Sequence, residues 1–105
     1  GAMAGSKAKS SKAEVREVVF ENQLVEGKKT WLPSIVPANN GESLRFKLIN
    51  KLNAPHGFFI KDYTEPVIVK GNSTKILPVI VAKKGTYAVK CHLHPAHVGA
   101  QIVVK

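Results

Sequence analysis

From Val15 onward, apolar and polar residues alternate in short runs of period two, and nowhere does an apolar pattern of helical period persist for three turns. Leu44, Phe46 and Leu48 alternate with Ser43, Arg45 and Lys47, the pattern of a strand with one buried face. The same reading predicts a first strand over residues 15–20 and an extended, proline-interrupted segment over 31–37, suited to a sheet edge or a crossing strand. After a loop over residues 50–55, strands are predicted at 57–60, 67–69, 76–81, 86–91 and 100–104. Turn chemistry separates the runs at Glu26-Gly27-Lys28, Asn39-Asn40-Gly41-Glu42, Gly71-Asn72 and Lys84-Gly85. Seven or eight strands of this length and spacing predict an all-β fold, a sandwich or a barrel.

One of these strands runs into Cys91-His92-Leu93-His94-Pro95-Ala96-His97, a thiol and three imidazoles in a single short loop. Tyr87, Val89 and Cys91 alternate with Thr86, Ala88 and Lys90, so Cys91 is expected to point inward and His92 outward. An inward cysteine at a strand end, taken alone, is more often a small core residue. The histidines behind it reverse that reading, because sulfur plus imidazole is the ligand mixture of copper or zinc. The remaining histidine is His56, in Pro55-His56-Gly57-Phe58 far upstream, and a shared site requires a compact fold that draws the two segments together. Cys91, His94 and His56 supply the two imidazoles and one thiolate of a trigonal copper plane, with His97 as the available fourth ligand. The same four residues also satisfy tetrahedral zinc. His92 is read as a solvent-exposed residue, and Trp31, Phe58, Phe59 and Tyr87 as core or rim aromatics.

Composition narrows the picture. At 105 residues and 11.4 kDa the chain holds one domain. Residues 1–6 read as an expression scar, and the stretch to residue 13 as a disordered tail rich in lysine and serine, leaving 14–105 for the domain. Lys7, Lys9 and Lys12 lie in that tail, so the rest keeps thirteen basic residues against seven acidic, a net +6. The basic residues are scattered without a stripe of interleaved aromatics, which argues against nucleic-acid binding and leaves an acidic partner or an anionic membrane surface open. The only methionine, Met3, falls in the scar and is excluded as a metal ligand. A single cysteine excludes an intramolecular disulfide, and no stretch approaches the roughly 20 apolar residues needed to span a bilayer.

Three stretches resemble the cupredoxins, the blue-copper family. Residues 33–46 are similar to the family's early strand pair with its glycine turn, residues 50–58 to the loop that delivers the first histidine, and residues 85–97 to the ligand loop. The ligand loop has the length seen in amicyanin, Cys-x2-His-x2-ligand, with His97 standing where amicyanin has methionine. Residues 66–95 and the Gly57-Phe58 pair are similar to nitrosocyanin, the red copper protein, which has a glutamate at the position of His56 and its last histidine two residues later. Gly57 stands where many blue proteins have an asparagine that fastens the two ligand loops together, which implies a more plastic site.

The resemblance implies a Greek-key β-sandwich of cupredoxin type holding one copper per chain on His56, Cys91, His94 and His97. It implies a one-electron redox module or small electron carrier outside the cytoplasm, working with a redox partner protein. Pro55, Phe58, Pro95 and Ala96 would form its apolar docking rim, with His94 at the electron exit. The alternative is a periplasmic copper-handling protein, for sequestration, delivery or resistance, that works with a copper donor or acceptor. An enzyme acting on a small ligand at an open copper position ranks third, because His97 would close that position.

Overall fold

The computed structural model describes residues 14–105; the expected scar and tail, residues 1–13, lie outside the described residues. Among the described residues ten strands form two sheets, and no helix is long and apolar enough to cross a membrane. The strands are β1 (Val15–Val25), β2 (Lys28–Leu32), β3 (Ile35–Ala38), β4 (Ser43–Asn50), β5 (His56–Ile60), β6 (Val67–Val69), β7 (Ser73–Ile76), β8 (Ile80–Val81), β9 (Gly85–Lys90) and β10 (Ala100–Val104). One sheet runs β3-β10-β9-β5-β6; the other runs β2-β1-β4-β7, with β8 also paired to β4. β1 lies parallel to β4 and β3 parallel to β10, while the other ladders are antiparallel.

Two expected strands are divided, and both contain a proline that cannot donate to a ladder. Residues 31–37 split at Pro33 into β2 and β3, which belong to different sheets. Residues 76–81 split around Pro78: Ile76 pairs with Lys47 and Ile80 with Leu44, so three residues stand opposite two, and β4 carries both pieces across a bulge. β1 runs on from Phe20 to Val25, well past the run read from its apolar pattern, because Glu21 to Val25 pair with Lys28 to Leu32.

The period-two pattern accounts for the core. Val18 and Phe20 of β1, Leu44, Phe46 and Leu48 of β4, Phe58 and Ile60 of β5, Val89 of β9 and Ile102 of β10 all face into the sandwich. The rings of Phe20, Phe46, Phe58 and Trp31 meet there, with centroids 5.3 to 6.3 Å apart in the contacting pairs. Side chains of this size bury 150–250 Å2 each and dominate such a core. Phe58 is 0 % exposed, which corrects its assignment to a docking rim: β5 is an interior strand, and the alternation that turns Phe58 inward is the one that buries His56.

Candidate metal centre

The register of β5 on β9 decides where the two ligand segments meet. Val89 pairs with Ile60 and Lys90 with Phe59, so the chain beyond Lys90 passes beside the first residues of β5. Cys91 and His92 therefore arrive next to Phe58, Gly57 and His56. Cys91 is buried, His92 is exposed, and the N–H of Gly57 donates to Cys91 Sγ at 3.2 Å. The loop then closes a turn, the N–H of His97 donating to the carbonyl of His94 at 3.0 Å. Val98 is pinned to the edge of the other sheet, its N–H donating to Lys29 O at 2.8 Å and its carbonyl accepting from Trp31 N at 3.1 Å. Gly99 has no room for a side chain, since a Cβ there would collide with the carbonyl of Val89.

Ligand atoms of His56, Cys91 and His97 all lie within 4.8 Å of one another. His94 stands beside this group: its Nδ1 is 3.6 Å from Cys91 Sγ, and its ring centroid is 4.7 Å from that of His56. The rings of His56 and His97 are 5.1 Å apart. His92 remains outside the cluster, exposed over Gly57.

His56 carries the clearest sign of a ligand site. It is 0 % exposed and neither ring nitrogen has a hydrogen-bond partner. Buried polar atoms are nearly always satisfied, and an orphaned imidazole is costly unless something takes its lone pair. Burial, reinforced by the nearby His97, His94 and Lys29, lowers its pKa from 6.5 to about 4, so at neutral pH the ring is an uncharged donor. Burial likewise holds the His97 pKa below its ordinary value, against the opposing effect of the Val98 carbonyl. A thiol and neutral imidazoles with no carboxylate among them form a donor set for a soft or borderline cation such as copper or zinc.

Trp31, read from the sequence as a core or rim aromatic, also supports the site, and two further supporting residues, Asn22 and Asn50, were not singled out from the sequence. Trp31 is fully buried; its indole N–H donates to Gly57 O at 3.0 Å, and its ring lies 6.0 Å from that of His97. Asn22 and Asn50, paired across β1 and β4, are buried under the site. Asn22 Oδ1 is 2.6 Å from His97 Nε2, and Asn22 Nδ2 donates to Asn50 Oδ1 at 3.1 Å. Their signal was in the chain: the inward series Val18-x-Phe20 and Phe46-x-Leu48 each continue, two residues on, to an asparagine. On the outer side, an open cleft bordered by Ser34, Lys90, Pro95 and Gln101 reaches Cys91 and His97. Leu93 and Val98, each 40 % exposed, join Pro55, Pro95 and Ala96 as the apolar surface of this end.

The family model for a cupredoxin-like domain matches residues 2–104. No curated protein matches the sequence. Among solved structures the fold is similar to a copper nitrite reductase from Nitrosomonas europaea (TM-score 0.70, 17% identity, 87% of this chain). It is also similar to auracyanin A, a "blue" copper protein from Chloroflexus aurantiacus (TM-score 0.68, 13% identity, 87% of this chain and 99% of auracyanin A). This chain spans 41% of the length of the nitrite reductase.

Proposed function

Because the chain belongs to the cupredoxin-like family, we propose that it binds one copper ion through His56, Cys91 and His94, with His97 as the fourth ligand, and serves as a one-electron redox module or small electron carrier outside the cytoplasm. The observation that carries this reading is His56, buried with both ring nitrogens unpartnered, facing a buried thiol. Bound copper supplies a Cu(II)/Cu(I) couple. The chain's residues do the rest. Cys91 provides the thiolate, and the Gly57 N–H tempers its charge. His56 provides a dry, neutral imidazole. His94, half-buried at the loop surface, offers its ring as the route between the metal and a partner protein docked on Leu93, Pro95, Ala96 and Pro55. The surplus of lysines favours an acidic partner surface.

An imidazole from His97 is a stronger fourth donor than a thioether. With copper bound, such a donor would favour Cu(II) over Cu(I) relative to a thioether. A green, yellow or red site of low potential follows, in keeping with the resemblance to nitrosocyanin.

The test is titration of the metal-free protein with Cu(II), followed by repeated reduction and reoxidation. Saturation at one equivalent, with cycling that retains the metal, supports the carrier. Copper passing readily to a competing chelator in each cycle supports the alternative of copper handling, a reading favoured by the exposed imidazole of His92 beside the buried Cys91. Absence of stoichiometric binding refutes both.

A further inference from the structure

The amides beneath the site can be oriented one from the next, beginning at backbone carbonyls. Asn50 Nδ2 lies 2.9 Å from Ala54 O, 3.1 Å from Val69 O and 3.2 Å from Lys70 O, three groups that only accept. Asn50 Oδ1 accepts the N–H of Leu52 at 3.0 Å. The amide of Asn50 therefore has one orientation, and its oxygen is the atom that faces Asn22. Asn22 must present its NH2 to that oxygen, which turns its own Oδ1 toward His97 Nε2 at 2.6 Å. An amide oxygen only accepts, and so does the Val98 carbonyl 3.0 Å from Nδ1; a neutral ring has one hydrogen for the two, and the shorter contact, at 2.6 Å, assigns it to Nε2. In the neutral ring Nδ1 is then the lone pair. Its 3.0 Å contact with the Val98 carbonyl is no hydrogen bond in that form.

Resting on the copper reading above, we propose that Asn22 is a positioning residue that fixes the tautomer of His97, so that Nδ1 is the nitrogen offered to the metal. Through Asn50, the same pair ties this ligand to Ala54, two residues ahead of His56, and so couples the two segments that deliver ligands. Metal-bound histidines as a rule donate their second ring N–H to such a partner, and its loss costs about 10–100-fold in metal affinity. Here the partner is an interior asparagine on β1, held in turn by a second asparagine on β4.

The first measurement needs neither metal nor substitution: long-range proton–nitrogen NMR on the metal-free, 15N-labelled protein. The expected result is a slowly exchanging ring proton on Nε2 of His97; a proton on Nδ1 instead overturns the proposal. In Asn22→Leu that protected proton is expected to disappear, and Cu(II) affinity to fall about 10–100-fold with a changed absorption spectrum. Asn22→Asp keeps an acceptor toward Nε2 but loses the donor to Asn50 Oδ1, so the proton on Nε2 is expected to remain while the folded protein is less stable than wild type. Asn22→Leu binding Cu(II) with wild-type affinity and spectrum overturns the proposal. If the protein shows no sulfur-to-copper charge transfer, it is the copper reading that fails, and the NMR result on the metal-free chain still decides the tautomer.

Discussion

The imidazole of His92 lies over the hydrogen face of Gly57: a Cβ at residue 57 would stand 2.5 Å from His92 Nδ1 and 2.6 Å from its Cε1. The two residues meet because the chain beyond β9 continues alongside β5, bringing the exposed histidine across from the buried glycine. An exposed ring can swing aside, so Gly57→Ala is expected to fold with a loss of about 1–3 kcal/mol from overpacking. In a His92→Ala background the same substitution is expected to cost under about 1 kcal/mol, the difference being the coupling of two residues in contact. Urea unfolding of the four proteins in this cycle measures it, and equal costs in both backgrounds would contradict the packing.

His56 makes the metal-free protein sensitive to acid. Its folded pKa of about 4 lies below the ordinary 6.5, so between these values the unfolded chain binds a proton that the folded chain refuses. Its contribution is fully present above pH 6.5 and is lost as pH falls toward 4, at most about 3 kcal/mol. His97, shifted in the same direction, adds to the slope. Urea midpoints measured from pH 7 to 4.5 are expected to fall steeply in the metal-free wild type and less steeply in His56→Leu. Parallel curves would mean that His56 is not held neutral by burial.

Trp31 gives an optical report on the site, being the chain's single tryptophan, fully buried, with its ring 6.0 Å from that of His97. Blue-shifted emission is expected from the metal-free protein, with strong quenching by one equivalent of Cu(II) and little by Zn(II). Quenching that requires many equivalents would indicate binding at surface histidines instead.

Much of this was legible in the chain. Alternation at Leu44-x-Phe46-x-Leu48 identifies β4, and Tyr87-x-Val89-x-Cys91 turns the thiol inward, as the burial pattern bears out. His56 and His97 come to the thiol although they are far apart in sequence, and His94 stands at 3.6 Å. The divisions at Pro33 and Pro78 were less legible, because a missing N–H leaves open whether a strand bends, bulges or changes sheet. The rim assignment of Phe58 failed because hydrophobicity near a ligand does not give direction; the parity of β5 does, and it turns Phe58 inward with His56. Trp31 to Gly57 O was not legible at all, since an indole reaching a carbonyl on another sheet leaves no mark in periodicity. Asn22 and Asn50 were visible only as polar residues continuing two apolar series, and their meaning depends on the parallel register that pairs them.

The thiolate is the heart of the proposed centre, and the most direct measurement is the visible absorption and EPR spectrum of the Cu(II)-loaded protein beside that of Cys91→Ser. The expected result is intense sulfur-to-copper charge transfer in the wild type, lost in the serine variant even where Cu(II) still binds to the histidines. A serine variant that kept the same coloured Cu(II) form, or a wild type with only weak colour and an ordinary Cu(II) signal, would contradict a metal held by Cys91.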